Sequence, residues 1–191
     1  MINFKNTKFI KSAPSYKEGP LDLSKEIIIV GKSNVGKSSL INALCDNKGL
    51  AKTSSTPGAT KLLNYFNVDK KFYLVDAPGY GYTKYGTKHL DSFASMMEDY
   101  FIHKDINGVI MLFDGRIKLS ETDLDFYSYL KEKEVPLIIV FTKVEKLNQK
   151  EKSALNKMIK ESIDTNDIVI LTSAKTKVGI DILKNKIESL L

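Results

Sequence analysis

Three features of this 191-residue chain predict an α/β fold, a doubly wound, mostly parallel sheet with helices on both faces and one antiparallel strand. Short apolar runs at 27–30 (IIIV), 109–113 (VIMLF), 137–141 (LIIVF) and 168–171 (IVIL) read as strands covered on both faces. They alternate with stretches of helical period, as right-handed β-α-β crossovers require. Each candidate binding motif follows one of the predicted strands, at the carboxyl edge where such sheets hold ligands.

In chain order, residues 1–24 carry Phe4, Phe9 and Ile10 among polar residues, then Pro14, Gly19 and Pro20. This predicts a strand near 3–11 and an irregular lead into the first core strand. After strand 27–30, Leu40, Ile41 and Leu44 recur at helical spacing and predict a helix over 37–46. Residues 47–61 are rich in Lys, Ser, Thr, Gly and Pro with no period; a connection of that length is usually functional or disordered. β-Rich runs at 62–68 and 71–75 flank Asp69-Lys70 and predict an antiparallel hairpin. The Gly/Tyr stretch 80–87 leads to a helix over 89–103 that places Leu90, Phe93, Met97, Tyr100 and Phe101 on its buried side. Strand 109–113, helix 121–134 capped by Ser120, strand 137–141, helix 149–163, strand 168–171 and helix 180–191 complete the alternation.

Residues 31–38 (GKSNVGKS) satisfy G-x-x-x-x-G-K-[ST] at every fixed position, between a strand and a helix. The glycines let the backbone wrap an anion, successive N–H groups form a nest, and the helix adds its positive dipole end. Gly31, Lys32, Ser33, Asn34, Val35, Gly36, Lys37 and Ser38 are therefore the expected phosphate loop. Lys37 is placed on the β- and γ-phosphates, and the Ser38 hydroxyl on Mg²⁺.

Asp76, Ala77, Pro78 and Gly79 close the second hairpin strand. An Asp there can hold a Mg²⁺-bound water and the Gly79 N–H can touch a γ-phosphate, although the four residues also suit an ordinary turn. In the long loop, Thr60 can complete a Mg²⁺ shell and sense the γ-phosphate through its N–H, with Thr53 and Thr56 as rivals. Thr142, Lys143, Val144 and Glu145 stand where a base-reading N/T-K-x-D element belongs. A carboxylate there accepts from guanine N1–H and the exocyclic amine, an arrangement adenine does not offer, while the Lys143 stem lies along the purine. Glutamate adds a methylene, and a poorly met donor pair costs about 1–3 kcal/mol, so weaker guanine affinity is expected. Ser173, Ala174 and Lys175 follow the last strand, where backbone N–H groups can meet guanine O6.

The ordered set GKSNVGKSS, TPGAT, DAPGYGY, TKVE and SAK, with Asp114-Gly115-Arg116, resembles the EngB/YihA (YsxC) family of TRAFAC-class bacterial ribosome-biogenesis GTPases. The resemblance covers essentially the whole chain, and DAPGYGY is its most family-specific part. It implies a Ras-like P-loop NTPase fold, GTP and GDP as ligands with Mg²⁺, and slow hydrolysis of GTP to GDP and phosphate. It also implies a switch in assembly of the large ribosomal subunit, on rRNA and ribosomal proteins, linked to cell division and septation. By position it implies nucleotide contacts at Gly58, Ala59, Thr60, Lys61, Leu62, Thr172, Ser173 and Ala174 as well, Mg²⁺ ligands Ser38 and Thr60, and catalytic groups Lys37, Thr60 and Gly79. Tyr80 stands where many GTPases carry a water-orienting glutamine, which predicts low intrinsic turnover. Two other readings stay open: a P-loop ATPase or small-molecule kinase, disfavoured by the TKVE element and by the lack of an arginine cluster, and a catalytically silent module in which Tyr80 and Glu145 mark decay.

Composition bounds the rest. The length suits one domain, 1–191, with 1–24 as an N-terminal strand and lead-in. No apolar run approaches the ~20 residues that span a bilayer, the first residues lack a signal-peptide core, and the one cysteine, Cys45, forms no internal disulfide. A monomer in a reducing cytoplasm, away from membranes, is expected. The net charge of +6 favours contact with a polyanion such as RNA. Of 29 basic residues, Arg116 is the one arginine, and a structural ion pair is its expected role.

Overall fold

The strand that leads into the phosphate loop presents Ile27 and Ile29 to one face of the sheet and Ile28 and Val30 to the other, and all four are buried. Two covered faces explain why the run shows no polar alternation. The computed structural model describes residues 1–22, 24–52, 62–80 and 87–191, without the side chains of 87–91.

The strands are β1 (Thr7–Ala13), β2 (Lys25–Gly31), β3 (Leu63–Val68), β4 (Phe72–Asp76), β5 (Gly108–Asp114), β6 (Leu137–Thr142) and β7 (Ile168–Leu171). They form one sheet in the order β1-β3-β4-β2-β5-β6-β7. β3 runs antiparallel to both its neighbours, β1 and β4, and the remaining pairs are parallel. The expected antiparallel strand is thus the first arm of the hairpin. Asp69 and Lys70 turn that hairpin with φ of 51° and 56°, the handedness a tight turn between right-twisted strands needs.

The helices are α1 (Lys37–Leu44), α2 (Thr87–His103), α3 (Glu121–Glu132), α4 (Gln149–Ser162) and α5 (Ile180–Glu188). α1 and α5 cover one face, where Leu40, Ile41, Leu183 and Ile187 pack on Ile27, Ile29, Ile110 and Val140. α2, α3 and α4 cover the other, where Met97, Tyr100, Leu130 and Leu155 pack on Ile28, Val30, Met111 and Ile139. Each such large apolar side chain contributes about 1.5–3 kcal/mol on burial. No helix among the described residues is long and apolar enough to cross a membrane.

Several boundaries differ from expectation for local reasons. The first strand begins at Thr7 rather than near residue 3, because Phe4 leaves the strand path to pack edge-on against Phe72. Asn6 N–H closes a turn onto Asn3 O (2.9 Å), and the Thr7 hydroxyl donates to Phe4 O (2.6 Å). The first helix stops at Leu44, since Asp46 turns left-handed (φ 49°), and α3 stops at Glu132, two residues before left-handed Glu134 (φ 54°). α5 ends at Glu188 with Ser189 as its C-cap, short of residue 191. Ser120 caps α3 as predicted, in a reciprocal box with Asp123. Cys45 is buried as a free thiol.

Candidate nucleotide site

α1 starts where it does because Gly36, its N-cap, takes φ 112°, a conformation that suits glycine. Asn34 is also left-handed (φ 63°). The Val35 N–H between them closes a turn onto Lys32 O (3.2 Å), and the loop runs into the helix N-terminus, whose free N–H groups suit an anion. The Lys37 ammonium donates to Gly31 O (3.3 Å), closing the loop on itself. Burial lowers the pKa of Lys37 from its ordinary value, and the charge of Asp76 opposes that shift.

Asp76 ends β4 beside this lysine. Burial pushes its carboxyl up to about 6, against the pull of Lys37 and a hydrogen bond from Asn64. Its Oδ1 is buried with no partner among the described residues. Past the strand, Ala77 N–H donates to Ile29 O (3.0 Å) and continues the pairing with β2. Ser33 N–H then donates to Tyr80 O (3.2 Å) and Tyr80 N–H to Gly31 O (3.4 Å), so that residues 79–80 lie along the phosphate loop. A Cβ on Gly79 would stand 2.7 Å from the Ser33 nitrogen, so this close approach needs glycine.

The carboxyl ends of β6 and β7 supply the opposite wall. Thr142 Oγ1 donates to Val35 O (2.6 Å), and the Lys143 ammonium donates to Asn34 O (2.7 Å) and to Asp114 Oδ2 (2.8 Å). Val144 N–H donates to Thr172 O (3.3 Å) and ties the two loops together. A cleft of about 550 Å³ opens here between α1 and these loops, lined by Gly36, Thr142, Lys143, Glu145, Thr172 and Ala174 among others. Glu145 borders this cleft, and its Oε2 is buried with no partner among the described residues. A carboxylate so placed suits a ligand that brings its own N–H donors.

The expected residues divide into groups. Gly36, Thr142, Lys143, Glu145, Thr172 and Ala174 share the cleft. Ser33, Asn34 and Val35 line a second hollow of about 230 Å³ on the outer side of the phosphate loop. Lys32 also borders that hollow, with its ammonium turned to Asp123. Ser38 lies in the first turn of α1, while Ala77, Pro78 and Val144 are buried. Ser173 is wholly buried with its N–H spent on Val178 O (3.0 Å), which leaves Ala174 to border the cleft. Leu62 is partly exposed. Gly58, Ala59, Thr60 and Lys61, with the rivals Thr53 and Thr56, lie outside the described residues. Arg116 forms the expected ion pair, donating to both oxygens of Asp114 (2.9 and 2.7 Å).

Sequence reasoning named Thr142 and Asp114 but not the contacts they make, and passed over Asn42. Thr142 is a clamp on the phosphate loop through its hydroxyl, and Asp114 anchors Lys143. Asn42 holds the chain beyond α1, donating to Lys48 O and Ala51 O and accepting from Ala51 N–H (3.1, 2.9 and 2.7 Å). Asparagine at a helix end before an irregular stretch was the available signal.

A phosphate-loop nest, an acidic strand end beside it and a carboxylate-bearing cleft at the next strands define a P-loop nucleotide-binding protein of the GTPase class. The family model described as "50S ribosome-binding GTPase" matches residues 26–143. The chain is 42% identical over 184 residues to the probable GTP-binding protein EngB of Mycoplasmopsis synoviae, covering 95% of this chain and 98% of that one. It is 41% identical over 186 residues to the probable GTP-binding protein EngB of Clostridium acetobutylicum, covering 96% and 93%. A crystal structure of a probable GTP-binding protein engB superposes with a TM-score of 0.68 at 25% identity, over 86% of this chain and 97% of that one. Era in complex with MgGDPNP and a 16S ribosomal RNA segment shares the fold, with a TM-score of 0.65 at 23% identity over 88% of this chain and 57% of that one. The chain belongs to the EngB family of GTP-binding proteins, a GTPase family whose ligands are GTP and GDP. The kinase and silent-module readings give way to GTP hydrolysis.

Proposed function

We propose that this chain is a nucleotide-controlled switch in assembly of the large ribosomal subunit, engaging the precursor's rRNA and proteins in its GTP form. The observation that carries the nucleotide part is the pair of buried, unpartnered carboxylate oxygens, Asp76 Oδ1 at the phosphate end and Glu145 Oε2 at the base end. The family description and the net charge of +6 support the ribosomal part. A link to cell division and septation belongs to the same proposal. The working unit is the single domain 1–191, as a cytoplasmic monomer.

The residues present fit Mg²⁺. Among the described residues no three His, Cys, Asp or Glu side chains gather into a closed metal cage, and Asp76 offers a single buried carboxylate beside Lys37. Mg²⁺ favours such a site, one or two protein oxygens completed by phosphate and water. Ser38 and Thr60 would ligate it, with Asp76 reaching it through a water. When bound, the cation neutralises charge on the β- and γ-phosphates.

Lys37 and the Gly79 N–H are assigned to the terminal phosphates, Gly58 to Leu62 to contact with the nucleotide, and Thr142 to Glu145 with Thr172 to Ala174 to the base. Tyr80 supports slow intrinsic turnover, because its hydroxyl is committed to Asp123 (3.0 Å) and orients no water. Sedimentation with large-subunit particles tests the ribosomal reading. Co-sedimentation is expected with a non-hydrolysable GTP analogue and release with GDP; equal binding in both states, or none, would sink it.

A further inference from the structure

Lys32 and Tyr80 are the two partners of an isolated parallel bridge that lays the segment after β4 on the phosphate loop. Their side chains also end on one carboxylate. Tyr80 OH donates to Asp123 Oδ1 (3.0 Å), and the Lys32 ammonium to Asp123 Oδ2 (3.0 Å). Asp123 Oδ2 accepts as well from the N–H and hydroxyl of Ser120, both at 2.9 Å. The carboxylate is buried, both its oxygens accept hydrogen bonds, and it sits in the first turn of α3, where the helix dipole favours negative charge. The Tyr80 ring packs between Phe93 of α2 and Phe126 of α3, with centroids 5.6 and 5.2 Å away. Burial first, and then Asp123, push the phenol above its ordinary range, so the hydroxyl stays a donor.

We propose that Asp123 is a positioning residue for GTP hydrolysis, stapling Lys32 and Tyr80 so that the Gly79 N–H is held in place over the phosphate loop. The proposal rests on residues 31–38 being the nucleotide site. Gly79 has no side chain to fix it, and the bridge beneath it has only two hydrogen bonds, one of them at 3.4 Å. The staple supplies what the backbone lacks. Because Gly79 meets the γ-phosphate alone, loosening it affects turnover of GTP and leaves GDP binding nearly untouched.

The test compares Asp123→Asn, Tyr80→Phe and the double variant. Tyr80→Phe keeps the ring packing and folds even if Asp123→Asn does not. Misplacement of a catalytic group by about 1 Å costs up to about 100-fold in rate. Loss of the staple is expected to lower kcat by about tenfold, with KM for GTP and Kd for GDP within about twofold of the parent. The double variant is expected to be no slower than the slower single one, since Tyr80→Phe removes one arm of the staple that Asp123→Asn weakens as a whole. Unchanged kcat in folded variants, losses that multiply in the double variant, or a GDP affinity that falls in step with kcat would overturn the proposal. Lys37→Ala, run alongside, reports on the site itself: loss of GDP binding is expected, and retention would sink the site reading and the proposal with it.

Discussion

The Lys143 ammonium lies 2.7 Å from the carbonyl oxygen of Asn34 and so joins the loop after β6 to the phosphate loop. Its left-handed backbone (φ 63°) and the Asp114 carboxylate fix the direction from which it reaches across. Lys143→Ala removes a charge-assisted bond of about 1.5–3 kcal/mol. GDP and GTP affinity should both fall by roughly tenfold to 100-fold, as equilibrium titration would read. An equal affinity would mean the two loops are held together by other means.

Glu145 carries a buried acceptor that no described residue satisfies. If guanine N–H groups meet it, Glu145→Ala should weaken GDP binding by about 1–3 kcal/mol. Glu145→Asp should strengthen it, by removing the extra methylene. Competition among GDP, ADP and xanthosine diphosphate separates base contact from a general loss, since only guanine offers both donors. Parallel losses for all three would remove Glu145 from the base site.

Asp114 gives the acid limb of stability a testable cause. Burial works against its carboxylate, but hydrogen bonds from Arg116 and Lys143 hold it at about 2. A folded-state pKa below the unfolded value of about 3.9 contributes stability above pH 4, lost as pH falls towards 2. Arg116→Ala should raise that folded-state pKa and shift acid unfolding to higher pH, followed by circular dichroism. An acid transition that stays in place would show that Lys143 suffices.

Tyr65 makes the opposite case. Its hydroxyl is buried without a partner, and burial first, then Glu26, push its pKa above the ordinary range. A buried hydroxyl with no bond is a penalty, so Tyr65→Phe should leave the melting temperature unchanged or raise it. A drop equivalent to more than about 1 kcal/mol would mean that the hydroxyl is bonded.

The sequence exposed what depends on local pattern. β2, β5, β6 and β7 showed as apolar runs because both faces of each are covered, and Gly36 was legible because a left-handed N-cap selects glycine. Asp123 was legible only as a cap partner for Ser120. Its links to Tyr80 and Lys32 span 43 and 91 residues, and no local pattern carries such contacts. For the same reason Lys32 read as one more phosphate-loop cation, although its charge is turned to α3. The helix ends at Leu44 and Glu132 escaped notice because the left-handed turns just beyond them fall on non-glycine residues, Asp46 and Glu134. β1 was displaced because the core draws in Phe4.

Guanine reading by Glu145 beside the phosphate loop 31–38 is tested most directly by displacement of labelled GDP by GTP and by ATP, from the parent and from Lys37→Ala. Displacement by GTP with ATP at least about 100-fold weaker, and no measurable binding to Lys37→Ala, is predicted. ATP competing as well as GTP, or Lys37→Ala binding like the parent, would contradict it.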